Sequence, residues 1–306
     1  MILTVTLNTA LDITHHVDRL RPHTAHRVHG VSARAGGKGV NVSRVLHALG
    51  RPTLVTGLYG GTTGATVRGE LARAGIPERL VPVSGETRRT VAVADAHTGD
   101  TTTLLEPGPD VRADEWRAFL GTFDALLGRA TAVVLSGSLP PGVPDDAYAT
   151  LVRAARTRHL PTVLDTSGPA LRAALPAGPT LVKPNAGELA EATGRSDPYP
   201  GAEALRAAGA DAVVASLGPD GLLAVTPRGA WRARPPERLR GNPTGAGDAT
   251  VAALALGLVT DAAWPERLGE AVALSAAAVA APLAGSFDPA VHRRLRDRVD
   301  IRTVTP

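Results

Sequence analysis

The chain has 306 residues, 43% hydrophobic and 20% charged, a composition that builds a core of its own and excludes a disordered chain. It contains no cysteine, which excludes disulfides, thiolate nucleophiles and cysteine-ligated zinc or iron–sulfur centres, and suits a reducing cytosol. A formal charge of +4 invites a nucleic-acid reading, but 29 acidic residues stand against 33 basic ones and aromatics make up only 3%, too few for base-stacking platforms; the excess reads as a mild attraction for small anions.

In chain order, Ile2–Leu7 is an apolar, β-branched run with no basic residues ahead of it, a strand and not a signal peptide. Residues from about Ile13 to Arg34 lack a helical period. Val40–Leu49 and Ala65–Ala74 are amphipathic helices closed by Gly50 and Gly75, with the strand Thr53–Leu58 between them. A second non-helical stretch runs from about Thr87 to Leu105, and Thr98-Gly99-Asp100 between Val91–Ala94 and Thr101–Leu105 reads as a hairpin turn. Residues 13–34 and 87–105 are expected to form a small antiparallel sheet that projects as a lid. Further strands are expected at Ala132–Leu135, Pro161–Leu164, Thr180–Val182 and Ala212–Leu217, with a helix beginning near Pro144. Ala271–Ala284 is apolar but short and broken by Pro282, so no membrane partner is expected. The basic run His292–Arg298 reads as the solvated face of a terminal helix. Strands alternating with helices predict a mostly parallel sheet covered on both faces, with residues 1–306 forming one α/β domain.

Of the 33 basic residues only Lys38 and Lys183 are lysines, and both lie in Gly- or Pro-marked motifs. An ammonium is a compact point charge where a guanidinium is a planar fork, so two retained lysines suggest sites. Gly36-Gly37-Lys38-Gly39-Val40-Asn41 is a flexible turn that opens a helix and presents Lys38 and Asn41 at its start, either as exposed polar residues or as a cradle for a polyol or phosphate. Asp12, after the first strand, is a turn residue or an acceptor for sugar hydroxyls. Late in the chain, Thr244-Gly245-Ala246-Gly247-Asp248 precedes an Ala/Leu-rich helix. Glycines at a helix start let amides face an anion, assisted by the helix dipole. The local pattern leaves two roles open for Asp248, helix cap or general base toward a hydroxyl under phosphoryl attack. Gly39 stands where a P-loop needs Ser or Thr, no Gly-x-Ser-x-Gly elbow occurs, and the histidines have no metal-ligand spacing.

Taken together, Gly36-Gly37-Lys38-Gly39-x-Asn41, Lys183-Pro184-Asn185-x-x-Glu188, Ser216-Leu217-Gly218-x-x-Gly221 and Thr244-Gly245-Ala246-Gly247-Asp248 resemble, in order and across the whole chain, the ribokinase-like (PfkB) carbohydrate kinases. Thr6-Leu7-Asn8-x-Ala10-Leu11-Asp12, Gly85-Glu86-Thr87-Arg88, Glu106-Pro107-Gly108-Pro109, Ser136-Gly137-Ser138-Leu139-Pro140 and Leu164-Asp165-Thr166-Ser167-Gly168 are similar to the 1-phosphofructokinase and tagatose-6-phosphate kinase branch. The resemblance implies a three-layer αβα fold with a small β-sheet lid, and transfer of the γ-phosphoryl group of ATP to a hydroxyl of a phosphorylated ketohexose. It makes Asp248 the general base and the amides of Gly245, Ala246 and Gly247 the anion hole. Asp12, Gly37, Lys38, Asn41 and Ser138 would hold the sugar, with Arg88 and Lys38 on its phosphate. Lys183, Asn185, Ser216, Gly218 and Gly221 would line the nucleotide, and Asn185 with Glu188 would position Mg²⁺ through water. In relatives such lids often pair into homodimers.

Four departures from the branch pattern bear on substrate. Thr9 and Ala35 stand where Pro is usual, Leu105 where Asn commonly precedes Glu-Pro-Gly-Pro, and Arg89-Thr90 differ from the residues expected after Glu-Thr-Arg. The other readings are a kinase of the same fold acting on an unphosphorylated sugar or nucleoside, and a non-catalytic sugar-binding regulator.

Overall fold

The computed structural model describes residues 1–239 and 241–304. β1 (Ile2–Thr6) leads into β2 (Ala10–Val17) and β3 (Gly30–Gly36), then α1 (Lys38–Ala48), β4 (Thr53–Tyr59), α2 (Gly61–Arg73), β5 (Glu78–Pro82), β6 (Arg88–Asp95) and β7 (Thr101–Leu105). A regular alternation follows: α3 (Ala113–Leu127), β8 (Ala132–Ser136), α4 (Ala147–Arg156), β9 (Thr162–Asp165), α5 (Gly168–Ala174), β10 (Leu181–Val182), α6 (Ala186–Thr193), α7 (Pro198–Ala207) and β11 (Ala212–Ser216). β12 (Leu222–Thr226), β13 (Gly229–Arg234), α8 (Ala246–Val259), α9 (Trp264–Val279), α10 (Pro289–Leu295) and β14 (Asp300–Val304) complete the chain. Every strand and helix expected from the sequence forms, within a few residues at its ends. α4 starts at Ala147 rather than near Pro144, because Pro144 closes a turn by accepting the Ala147 amide.

The main sheet has the order β14-β13-β12-β11-β10-β9-β8-β1-β4-β5, parallel from β5 to β11 and antiparallel over its last three strands. Its central strands are apolar on both faces. In β8, Val133 and Leu135 pack with Phe119, Leu151 and Leu171 of α3, α4 and α5, while Ala132 and Val134 face Val45, Leu254 and Leu274 of α1, α8 and α9. That double burial is why these strands read as unbroken β-branched runs and not as alternating ones. α8 is apolar on every side because α1, α9 and the sheet enclose it. On α10, His292 and Leu295 are buried while Arg293 and Arg294 are exposed, and the chain then adds the edge strand β14 after the basic run.

The second sheet has the order β3-β2-β6-β7. Its two outer pairings are antiparallel, including the β6–β7 hairpin, but β2 and β6 run parallel, which corrects the all-antiparallel expectation. Each of these two strands continues directly from a parallel strand of the main sheet, β1 into β2 and β5 into β6, so both arrive in one direction. Leu11 and Ala35 anchor the small sheet on Val67 and Leu71 of α2.

Candidate active site

The C-terminal ends of the parallel strands share one edge, the usual place for a ligand in an open α/β sheet. Thr6, Ser136, Asp165 and Ser216 end β1, β8, β9 and β11, and Lys183 follows β10. Between this edge and the small sheet lies a cavity of about 550 Å³. A second cavity, about 740 Å³, runs between α8, α9, the turn at Gly218–Asp220 and the segment that begins at Pro235. Asn185, Ser216 and Gly247 line both, so the two cavities adjoin.

Every residue given a catalytic, sugar, nucleotide or magnesium role from the sequence lies at one of them. Asp12, Gly37, Lys38, Asn41, Arg88, Ser138, Lys183, Glu188, Gly245 and Asp248 face the first; Gly218, Gly221 and Ala246 face the second.

Asp248 occupies the third position of α8 but caps nothing. The cap position is Gly245, at φ +87°, and the Asp248 carboxylate turns instead to accept a hydrogen bond from Asn41 Nδ2 at 2.9 Å. Burial pushes its carboxyl up to about 7, assisted by the Asp165 carboxylate and opposed by Lys38, Asn41 and Lys183. The geometry therefore disfavours the cap role and leaves a carboxyl poised near neutrality at a helix start. Beside it, the Ala246 amide donates to Pro243 O at 3.2 Å in the turn that opens the helix.

Both lysines of the chain meet at one carboxylate. Lys38 Nζ lies 3.2 Å and Lys183 Nζ 3.4 Å from Asp165 Oδ1, and Ser136 Oγ donates to Oδ2 at 3.3 Å. Burial opposes the charge on Asp165, but the ammonium groups of Lys183 and Lys38 outweigh it and hold the carboxyl below its usual range. Lys183 is almost fully buried and its ammonium sits over Gly247, 3.6 Å from where a Cβ would be. Lys38 also lies 4.0 Å from Glu188 Oε1. Burial works against the Lys38 charge too; Asp165, Glu188 and Asp248 nevertheless hold its pKa above the ordinary value.

On the small-sheet side, Arg88 Nε donates to Asn8 O at 3.1 Å and Nη1 lies 3.5 Å from Glu106 O. Burial raises the carboxyl of Asp12, against a hydrogen bond from Thr90 and the charges of Arg88, Arg44 and Arg34. Gly37 has φ +99°, and a Cβ there would lie 2.6 Å from Thr6 Cγ2, so only glycine lets Lys38 begin α1 at this distance from β1. Ser138 Oγ accepts from Asn8 Nδ2 at 3.1 Å. Thr6 Oγ1 and Asn8 Oδ1 are buried without a hydrogen-bond partner among the described residues, and both side chains belong to residues lining the cavity.

Asn185 and Glu188 form a reciprocal capping box at the start of α6: Glu188 N donates to Asn185 Oδ1 and Asn185 N to Glu188 Oε2, each at 2.8 Å. This leaves Glu188 Oε1 toward Lys38. Among the described residues no three His, Asp or Glu side chains gather into a metal cage. The donor set fits a magnesium ion that keeps its own water shell and meets carboxylate oxygen through it, and does not fit one stripped of water.

The sequence reading assigned no role to Asp165, Asn8, Thr6 or Thr90. Asp165 and Asn8 sit in motifs already quoted, and their position at or just beyond strand ends was the available signal. Of the departures, Leu105 lines the first cavity and Arg89 does not; Arg89 pairs outside it with Glu106, Nη2 to Oε1 at 3.1 Å.

Residues 4–290 match the pfkB family of carbohydrate kinases. Phosphofructokinase-2 from Escherichia coli, solved in a tetrameric inhibited form, is 30% identical with a TM-score of 0.89 over 97% of this chain and 98% of that one. The "possible 1-phosphofructokinase" of Thermotoga maritima is 28% identical with a TM-score of 0.89 over the full length of both chains. Ribokinase of Arabidopsis thaliana, 19% identical, shares the fold with a TM-score of 0.74 over 96% of this chain and 98% of that one. No described helix is long and apolar enough to cross a membrane. The chain belongs to the pfkB family of carbohydrate kinases, and it is a sugar kinase.

Proposed function

We propose that this sugar kinase transfers the γ-phosphoryl group of ATP to a hydroxyl of a phosphorylated ketohexose, of the fructose 1-phosphate or tagatose 6-phosphate type. The observation that carries the reading is the placement of Asp248, a carboxyl near neutrality at the start of α8, where the two cavities meet.

The sugar occupies the cavity under the small sheet, which acts as its lid and excludes water that would otherwise take the phosphoryl group. Asp12, Asn41, Ser138 and the backbone at Gly37 hold its hydroxyls. ATP lies in the second cavity, along Ser216, Gly218 and Gly221, with its phosphates toward Lys183. An Asp248 oxygen takes the proton of the acceptor hydroxyl as its oxygen bonds to the γ-phosphorus, and ADP departs. The amides of Gly245, Ala246 and Gly247 donate to the oxygens on which charge develops, the Ala246 amide exchanging Pro243 O for them. Magnesium, when bound through water near Asn185 and Glu188, offsets phosphate charge.

Arg88 supports a phosphorylated substrate, since its carbonyl contacts leave donors for a dianion, which a guanidinium binds well. Phosphofructokinase-2 of Escherichia coli, 29% identical in its complex with fructose-6-phosphate, supports the same substrate class. The exposed apolar side chains Val31, Leu104 and Leu105 on the small sheet support a homodimer formed there.

ADP release with Mg-ATP across fructose 1-phosphate, fructose 6-phosphate, tagatose 6-phosphate, fructose, ribose and an amino-sugar phosphate tests the reading. Preference for one phosphorylated ketohexose is expected, and Arg88→Ala should then raise KM for that sugar about tenfold or more with KM for ATP unchanged. Turnover confined to unphosphorylated sugars would refute the phosphate site. Silence across the panel would favour a binding protein.

A further inference from the structure

One guanidinium ties the small sheet to the segment beneath the catalytic helix start. Arg34, near the end of β3, donates from Nη1 to Ser286 Oγ at 2.8 Å and to Ala284 O at 3.1 Å. Its own root is fixed: Ala35 N donates to Glu70 Oε2 at 3.1 Å, and Arg44, ion-paired with Glu70, donates from Nη2 to Ala35 O at 3.2 Å. Arg34 lines neither cavity.

The segment it grips is wedged between the two halves of the reaction site. A Cβ on Gly245 would lie 2.9 Å from Ala284 Cα and 3.0 Å from Gly285 N; a Cβ on Gly285 would lie 2.9 Å from Asn41 Oδ1. Asn41 in turn holds Asp248. Ala284–Ser286 thus packs against Gly245 and Asn41 at once, so a shift of this segment would disturb both, and a displacement of about 1 Å is enough to cost about a hundredfold in rate.

We propose that Arg34 is a positioning residue that couples the small sheet to the start of α8, so that a sugar bound beneath the sheet sets the Gly245 turn and the Asn41–Asp248 pair in their working arrangement. Both hydrogen bonds leave one nitrogen whose two N–H groups are held in the guanidinium plane, so their directions are fixed toward two acceptors of one segment, whereas the three N–H groups of an ammonium rotate freely. The inference rests on the sugar-kinase reading above and deepens it.

Arg34→Met keeps the aliphatic stem and removes the donors; Arg34→Lys keeps the charge. In steady state, Arg34→Met should lower kcat about ten- to hundredfold, short of the ~10²–10³ that follows loss of an anion-hole donor, with either KM changed less than about threefold. Arg34→Lys should recover part of the loss, and Ser286→Ala should lose less and add nothing to Arg34→Met, since both break one tie. Hydrogen exchange in the free protein reads the coupling without turnover: in Arg34→Met, peptides covering 241–250 and 282–288 should exchange faster, with those of α3 to α5 unchanged. An unchanged kcat, or a loss carried by KM for the sugar, overturns the coupling while leaving the kinase reading intact. If the wild type phosphorylates nothing, that reading fails first; unchanged exchange at 241–250 would then overturn the coupling as well.

Discussion

Replacing Asp248 by Asn should stabilise the protein while nearly abolishing turnover, and the stabilisation should grow with pH. Burial, assisted by the Asp165 carboxylate, lifts the Asp248 carboxyl from 3.8 to about 7 in the folded chain. The unfolded chain loses this proton near pH ~3.9, so between about pH 4 and 7 the folded state holds a proton that the unfolded state has released. The stability this group contributes is thus fully present below the unfolded value, falls progressively from about pH 4, and is fully lost once pH has passed the folded value near 7. At about 1.4 kcal/mol per pH unit, the displacement from 3.8 to about 7 corresponds to about 4 kcal/mol. Asparagine has the same shape without the charge, and its Oδ1 still accepts from Asn41 Nδ2. Urea unfolding of both proteins from pH 5 to 8 should show the variant ahead by about 2 kcal/mol at the acid end and about 4 kcal/mol at the other. Turnover should fall by ~10²–10⁴, the usual contribution of a positioned base. A stability difference that is flat with pH, or a variant less stable than the wild type at pH 8, would refute the burial argument. Unchanged turnover would refute the base.

In the wild type, kcat should rise with pH along an acid limb centred near 7, because Asp248 accepts a proton only when ionised; a limb complete by pH 5 would exclude it. Asp165→Asn removes the shared partner of Lys38 and the buried Lys183, at a cost of about 3–5 kcal/mol in denaturant unfolding. The same change removes a negative neighbour of Asp248 and should move the acid limb to lower pH; an unmoved limb would show that the carboxylates do not interact. Gly245→Ala places a Cβ 2.9 Å from Ala284 Cα at φ +87°, so about 1–3 kcal/mol of strain and a drop in kcat are expected, checked by Tm and initial rates. Leu105→Asn should change the ranking of sugar phosphates by kcat/KM and leave KM for ATP untouched.

Much of this molecule is legible in its sequence because its strands are short, doubly buried and punctuated by glycine. The helix ends at Gly50 and Gly75, the hairpin at Thr98–Asp100 and the Gly245–Asp248 turn are all local signals, and they form as read. The parallel seam between β2 and β6 is not local: nothing in either strand reports the direction of the other, which is set by where β1 and β5 release the chain. The site divides the same way. Lys38 and Lys183 stand out by composition, but their meeting at Asp165 depends on three strand ends coming together. Asn185 and Glu188 show how one spacing serves two physical ends, since the capping box uses one carboxylate oxygen and leaves the other toward Lys38. Local pattern could not separate cap from base at Asp248; the partner that decides it, Asn41, lies more than 200 residues earlier.

The β2–β6 seam also bears on how the chain assembles. Residue 10 lies opposite residue 88, and the chain passes through β4, α2 and β5 before it brings β6 back alongside β2. The β6–β7 hairpin closes on its own within microseconds, whereas a parallel pairing across so long a loop waits on closure entropy. The main sheet waits on a longer closure still, since residue 2 of β1 lies opposite residue 132 of β8, so the sugar side and the hydrophobic layers are expected to close together. On dilution from denaturant, burial of Trp116 should therefore coincide with the return of sugar binding, and a compact molecule that binds no sugar would show that the seam closes last.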